Sequence, residues 1–461
     1  MQTKITLLAV LTLAQLGAPH AAANKTAKPN IIFVLTDDLG WTDLGCQGST
    51  FYETPNINRL AAQGMRFTDG YSACTVCSPS RAAILTGQYP ARLHITDWIA
   101  GHKYPHAKLS VPDWTMHLAL NVPNIATALK SAGYATASIG KWHLGDEPFW
   151  PEKQGFDLNI AGCSKGQPAS YFSPYNNPRL TDGPPGEFLS DRLAAEAVKF
   201  IAQNKDRPFF IYLPHYAVHQ PVMAKPEVIA KYQTKADPNN PHHQPNYAGL
   251  IESVDDSIGT LLAKLDELKL TDNTIVIFTS DNGGLLQTTS NTPLRLGKGS
   301  AYEGGVRVPL IIKWPGVTQP GSVCNVPVIG VDFYPTLLAM AGAPSRPGRV
   351  DGENIEPLLR QTGPIKRDAI YWHYPHYHPG GATPYGAIRD GDFRLIEFYE
   401  DNHAELYNLK DDISETKDLV AVLPDKTAAL RQKLHAWRKR VDAQMPASNP
   451  NYDPNNSRPK K

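Results

Sequence analysis

Four runs of apolar or small residues, each ending in a cluster of polar side chains, restrict this chain to a narrow set of architectures. Ile31-Ile32-Phe33-Val34-Leu35 runs into Thr36-Asp37-Asp38-Leu39-Gly40, and Ala135-Thr136-Ala137-Ser138-Ile139-Gly140 into Lys141-Trp142-His143. Pro208-Phe209-Phe210-Ile211-Tyr212-Leu213 precedes the segment from His215 to His219, and Thr274-Ile275-Val276-Ile277-Phe278-Thr279 leads to Ser280-Asp281-Asn282-Gly283-Gly284. Runs that are apolar at consecutive positions read as strands buried on both faces. Stretches with helical spacing lie over 124–132, with Gly133 as a stop, over 189–203 and over 247–268. The alternation predicts a mostly parallel α/β sheet flanked by helices, in which ligands bind beyond the carboxyl ends of the strands. All the polar clusters stand at that edge.

At 461 residues, 41% hydrophobic and 19% charged, the chain is long enough for a large core and a second, smaller domain. From about Arg346 the texture changes. Tyr371 to Gly381 reads as an aromatic, His-rich loop, and Tyr385–Arg389 and Phe393–Phe398 flank Asp390-Gly391-Asp392 as a hairpin. Glu405–Leu409 adds a short strand, and Thr427 to Val441 is patterned as an amphipathic helix. The expected division is a signal segment over 1–23, an α/β domain over 24–345, and a C-terminal α+β domain with an antiparallel sheet and an irregular tail over 346–461.

Lys4, the apolar run from Ile5 to Ala18 and Ala21-Ala22-Ala23 carry the signal reading, with export to the periplasm or the medium as its consequence. The run is too short to span a membrane, so no membrane span is expected. Lys plus Arg at 45 against Asp plus Glu at 44 leaves a net charge of +1, which removes nucleic acid and acidic membrane surfaces as bulk electrostatic partners. An anionic substrate must be captured locally. If Cys77 is committed to chemistry, Cys46, Cys74, Cys163 and Cys324 are left, and their pairing is open.

Cys77-Ser78-Pro79-Ser80-Arg81-Ala82-Ala83-Ile84-Leu85-Thr86-Gly87 is a polar turn entering a helix whose N-terminal dipole favours anions. It offers a thiol and a fixed cation together. Asp37, Asp38, Asp281 and Asn282 are hard oxygen donors, suited to Ca²⁺ or Mg²⁺ and not to zinc. Lys141 and Lys298 are compact cations, and His143 and His219 transfer protons near neutral pH. Taken singly, each has a plain reading: a buried Cys at a helix start, ordinary Asp-rich turns, solvated lysines, structural histidines.

In combination the segments resemble the sulfatase family. The Cys77 turn is similar to its C-x-P-x-R…L-T-G signature, Gly140-Lys141-Trp142-His143-Leu144-Gly145 to its G-K-W-H-L-G segment, and Ala217-Val218-His219-Gln220-Pro221 to its A-x-H-x-P segment. Gly297-Lys298 through Glu303-Gly304-Gly305-Val306-Arg307 is similar to its G-K-x…E-G-G-x-R segment, so the resemblance covers about Pro29 to Pro309. It implies an alkaline-phosphatase-like fold and oxidation of Cys77 to formylglycine by a maturing enzyme. It also implies one divalent cation, Ca²⁺ before Mg²⁺, held by Asp37, Asp38, position 77, Asp281 and Asn282. The implied catalytic set is Cys77, Arg81, Lys141, His143, His219 and Lys298. The expected substrate is a sulfated carbohydrate, of the galactose or N-acetylgalactosamine kind that related bacterial sulfatases take. The Gly162–Phe172 stretch and His373, His376 and His378 are expected at the rim. An arylsulfatase or a phosphonate or phosphate ester hydrolase is the neighbouring alternative. A glycan-binding protein with an unmodified Cys77 is the non-enzymatic one.

Overall fold

The computed structural model describes residues 28–344 and 348–456; the expected signal segment over 1–23 and the 345/346 boundary fall outside them. The large sheet is built from β1 (Asn30–Thr36), β2 (Met65–Phe67), β3 (Ala135–Ile139), β4 (Leu158–Ile160), β5 (Phe209–Pro214), β6 (Thr274–Ser280), β7 (Leu310–Lys313) and β8 (Ser322–Cys324). Its order is β8-β2-β7-β6-β1-β5-β3-β4, with β7 antiparallel to both neighbours and every other pairing parallel. The mostly parallel α/β sheet expected from the apolar runs is present.

β1 lies in the middle because both its faces are apolar, and the period of two divides them. Ile32 and Val34 pack into a core layer with α4 (Leu189–Gln203) and α5 (Pro245–Glu267), while Ile31, Phe33 and Leu35 pack on the opposite side. That second layer contains α2 (Cys77–Thr86), α3 (Ile125–Ser131) and α6 (Phe333–Met340). Helix α1 (Pro55–Gln63) joins the first layer through Ile57 and Leu60. Helix α3 begins where the sequence places it, since the Asn124 side chain accepts from Thr127 N at 3.0 Å, a capping box. All ten residues of α2 are buried. The reason is that Ala82, Ile84 and Leu85 face the large sheet, while Val76 and Ala83 belong to a third core with a second sheet.

The second sheet is an antiparallel meander of β9 (Ala369–Tyr374), β10 (Tyr385–Asp390), β11 (Phe393–Phe398) and β12 (Ala404–Asn408), backed by α7 (Pro424–Arg440). Gly391, at φ +61°, makes the tight β10–β11 turn. The reading of Tyr371 to Gly381 as one loop is corrected here: Tyr371 to Tyr374 are in β9, held there because Tyr371 stacks on Trp437 with centroids 4.9 Å apart and Trp372 Nε1 donates to Ser72 O.

A buried ionic clamp joins the sheets. Glu303 accepts from Arg307 Nη1 (3.0 Å), from the Tyr71 hydroxyl (2.7 Å) and from Arg394 of β11, while Glu303 N donates to Glu415 (2.7 Å). Arg389 of β10 and Arg307 share Asp69 at 2.6 and 3.0 Å. All five cysteines are free, so the question of pairing closes without a disulfide.

Candidate active site

Parallel register brings the strand ends together. Thr36 pairs with Ser280, so the turns after β1 and β6 leave the sheet side by side, with Asp281 N donating to Thr36 O (3.1 Å) and Asp38 N to Asp281 Oδ1 (3.3 Å). On the other flank Asp37 N donates to Ala217 O (3.0 Å) and Val218 N to Asp37 O (2.9 Å), and Lys141 N reaches Pro214 O (2.7 Å). Gly140, at φ +128°, permits this crossing: a Cβ there would stand 2.0 Å from Pro214 O. Asp38 and His143 themselves take positive φ, +64° and +57°, which turns their side chains into the site.

Arg81 is fully buried, with Nε and Nη2 both 2.8 Å from Asp281 Oδ2 and Nη1 on Lys141 O (3.0 Å). Lys141 Nζ donates to Asp37 Oδ2 (2.6 Å), and Lys298 Nζ bridges the two oxygens of Asp38 at 2.7 and 2.8 Å. Asn282 Nδ2 donates to Asp38 Oδ1 (2.8 Å), and His219 Nε2 lies 3.6 Å from Asp38 Oδ2. Three carboxylates thus meet three cations. Burial opposes ionisation of Asp38, but Lys298 and His219 hold it well below the usual carboxylate range. Burial and the neighbouring Asp281 push the Asp37 carboxyl upward, against Lys141 and Arg81.

The donor set fits a hard divalent cation. Asp37 Oδ1 and Asn282 Oδ1 are buried oxygens with no hydrogen-bond partner among the described residues, and single donor atoms of Asp37, Asp38 and His219 lie within 4.8 Å of one another. A further positive charge here would also favour the ionised Asp37 that burial disfavours.

Cys77 opens α2 with Sγ 3.3 Å from His143 Nδ1. His143 Nε2 is bonded to Ile99 O, which places the ring proton on Nε2 and leaves the Nδ1 lone pair toward Cys77. Burial and then Lys141 keep this imidazole neutral, far below its usual pKa. His219 Nδ1 is committed to Gln220 O (2.8 Å), and burial with Lys298 lowers its pKa to about 3. His215, in the same segment, is no part of the site: it turns into the core and contacts Ser257 Oγ at 3.2 Å.

All the residues proposed for catalysis and metal binding therefore converge, and Cys77, His143, His219 and Lys298 form the floor of a cavity of about 410 Å³. The rim differs from the expectation. His373 is buried between Tyr399 OH and Gln444 O, and His376 is bonded to Thr96 Oγ1; only His378 reaches the cavity. Of the Gly162–Phe172 stretch, Gly166 and Gln167 line the cavity, while Tyr171 is buried and donates to Tyr216 O and His219 O, bracing the His219 turn. Trp98, Ile99, His102 and Leu285 also line it; they carry no motif, and nothing in the sequence marks them.

The segment bearing Trp98 is anchored by Asp97, whose Oδ1 accepts from Trp98 N (2.9 Å) and Tyr374 OH (2.8 Å), while Oδ2 is buried without a partner among the described residues. Burial pushes this carboxyl up to about 8. The folded state therefore holds the proton more tightly than the unfolded chain, and the stability this confers is complete below the unfolded value near 4 and lost as pH rises toward 8. Asp97→Asn, which keeps an acceptor for both donors, is expected to flatten the fall in Tm between pH 5 and pH 8, by roughly 5 °C at the alkaline end. Melting curves of both proteins at the two pH values measure it; parallel slopes would refute the assignment.

A sheet of this order, with acid, base and imidazole gathered at its carboxyl edge, is the alkaline-phosphatase-like architecture. Comparison with known proteins makes it specific. Residues 29–343 match the Sulfatase family, and residues 296–444 match the family described as N-sulphoglucosamine sulphohydrolase, C-terminal. A sulfatase of Formosa agariphila is 35% identical over 94% of this chain and 93% of its own. The human N-acetylgalactosamine-6-sulfatase is 36% identical over 76% of this chain and 69% of its own. The crystal structure of Ps i-CgsB in complex with k-i-k-neocarrahexaose superposes with a TM-score of 0.78 at 31% identity, covering 92% of this chain and 94% of that one. The chain belongs to the sulfatase family and is a sulfuric ester hydrolase. Among the described residues no helix is long and apolar enough to cross a membrane.

Proposed function

We propose that this enzyme removes sulfate from a carbohydrate, with sulfated galactose or N-acetylgalactosamine as the sugar, using formylglycine at position 77. The observation that carries this is the approach of Cys77 Sγ to His143 Nδ1 on the floor of the cavity, beside Lys298 and His219. The relative named N-acetylgalactosamine-6-sulfatase and the similar structure in complex with k-i-k-neocarrahexaose support the sugar. The domain division at 345/346, export through residues 1–23 to the periplasm or medium, and maturation by a formylglycine-generating enzyme belong to the same reading.

The hydrated aldehyde at position 77 supplies one hydroxyl that attacks sulfur and a second whose deprotonation expels sulfate. Asp37, Asp38, position 77, Asp281 and Asn282 would hold the divalent cation, which supplies positive charge beside the nucleophile. Arg81, pinned by Asp281 and by Lys141 O, fixes and polarises that hydroxyl. Lys141 and Lys298 stabilise the sulfuryl oxygens, Lys141 from a fully buried position and Lys298 from a largely buried one, where their charge is little screened. A bound sulfate ester adds negative charge beside His219 and draws a proton onto Nε2, from which, with Lys298, the leaving alcohol is protonated. His143, with its proton fixed on Nε2 by Ile99 O, takes the second hydroxyl's proton at Nδ1.

Peptide mass at position 77 and parallel assays on sulfated sugars, an aryl sulfate and a phosphonate monoester test this. The expected result is the aldehyde at position 77 and a kcat/KM on a sulfated galactose or N-acetylgalactosamine about 100-fold above the other esters. Chelation is expected to remove activity and Ca²⁺ to restore it. An unmodified thiol with glycan binding and no turnover, or preference for the phosphonate, would reject the proposal.

A further inference from the structure

Above its catalytic floor the cavity is uncharged. Lys298, on that floor, is the one formally charged residue lining the cavity among the described residues, and the wall includes Trp98, His102, Gln167, Gln220, Leu285 and His378. At about 410 Å³ it is small for a ligand pocket, a class that spans roughly 300–1,000 Å³. Trp98 offers an apolar ring, with His102 set edge-on to it at 5.0 Å, and the two glutamines offer amides that pair with hydroxyl or acetamido groups.

His378 comes from the other side, on the loop between β9 and β10. It lies against the turn that carries Lys298: Gly299 is at φ +78°, and a Cβ on it would stand 2.0 Å from His378 Nδ1, so only glycine admits the ring. Gly380 N donates to His378 Nδ1 (3.0 Å), which puts the ring proton on Nε2, an atom with no hydrogen-bond partner among the described residues. Burial lowers this imidazole to about 4, so it is a neutral donor at working pH.

We infer that the cavity takes one neutral sugar ring bearing a single sulfate, and that the second sheet contributes His378 as the specificity residue whose Nε2–H binds a hydroxyl or acetamido oxygen of that ring. The inference rests on the sulfatase reading above and narrows its substrate to rings without a carboxylate or a further sulfate. A second anion carried into this wall would lose its water and find no cation.

The test uses the full-length, formylglycine-bearing enzyme with monosulfated N-acetylgalactosamine, the disulfated sugar, a sulfated disaccharide containing a uronate, and inorganic sulfate as inhibitor. Wild type is expected to favour the monosulfated ring by about tenfold or more in kcat/KM. His378→Ala is expected to lower kcat/KM on that ring roughly ten- to hundredfold, chiefly through KM, with the inhibition constant of inorganic sulfate within about twofold of wild type. His378→Gln, which keeps an N–H donor, is expected to recover part of the loss. Equal or better turnover of the disulfated or uronate substrate overturns the inference, as does a sulfate inhibition constant that shifts in step with KM. Release of sulfate from none of the esters overturns the sulfatase reading itself, and this inference with it.

Discussion

Cys77→Ala is expected to lower turnover by roughly ten-thousand-fold or more while the protein stays folded. The side chain is buried at the first position of α2 and touches His143 Nδ1, so the substitution removes a single atom from a packed corner and leaves the helix intact. Ala82, Ala83, Ile84 and Leu85, which fix α2 between the two sheets, are untouched. The loss of one buried sulfur costs about 1 kcal/mol, a shift in Tm of a few degrees at most for a chain of this size. The paired readout is therefore specific: turnover vanishes and the melting curve barely moves. Near-normal turnover by the variant would remove position 77 as nucleophile. An unmodified thiol attacking sulfur would have no second hydroxyl through which to expel sulfate, so the aldehyde and the activity are expected to rise and fall together across preparations.

Glu303→Ala is expected to lower stability by about 3–5 kcal/mol, a fall in Tm of roughly 3–5 °C for a chain of this size. Glu303 is fully buried and is the acceptor shared by Arg307, Tyr71 and Arg394; without it Arg394 keeps its desolvation cost and loses its nearest counter-charge, and Arg307 is left with Asp69 alone. The damage reaches the active site by a short route. Arg394 Nη2 also holds Ala301 O (2.5 Å), in the segment that carries Lys298 and Gly299, so loosening the clamp frees the turn on which His378 rests. Glu303→Gln, which retains an acceptor oxygen, is expected to fall between wild type and Ala. A Glu303→Ala protein that melts within about 2 °C of wild type would show that the clamp contributes little.

Much of this molecule was legible in the order of its residues because the signals are local. Consecutive apolar positions from Ile31 to Leu35 declare a strand that must be covered on both faces, and Asp390-Gly391-Asp392 declares a hairpin through the positive φ that Gly391 takes. The G-K-x…E-G-G-x-R stretch was half understood: Lys298 stands in the site, whereas Glu303 and Arg307 serve the joint between the sheets. The His-rich stretch misled for a related reason. Alternation along β9 turns His373 inward to Tyr399, and His376 is drawn to Thr96, while His378, beyond the strand end, is left to face the cavity. Three histidines within six positions carry no mark that separates them.

By itself the sequence determined the four long inner strands, the helices over 124–132, 189–203, 247–268 and 427–441, the β10–β11 hairpin, the helix start at Cys77, the chemical types of the residues at the strand ends, and through their motifs the family. These follow from periodicity, turn chemistry and side-chain type, which neighbours along the chain decide. Only the tertiary structure decided that Trp98, Ile99, His102, Leu285 and His378 form one uncharged wall above Cys77, which proton His143 carries, and that Glu303 is a clamp. Those outcomes depend on contacts between segments far apart in sequence, whose geometry is set by the register of the large sheet and the docking of the second sheet against α2, not by any property of the segments alone.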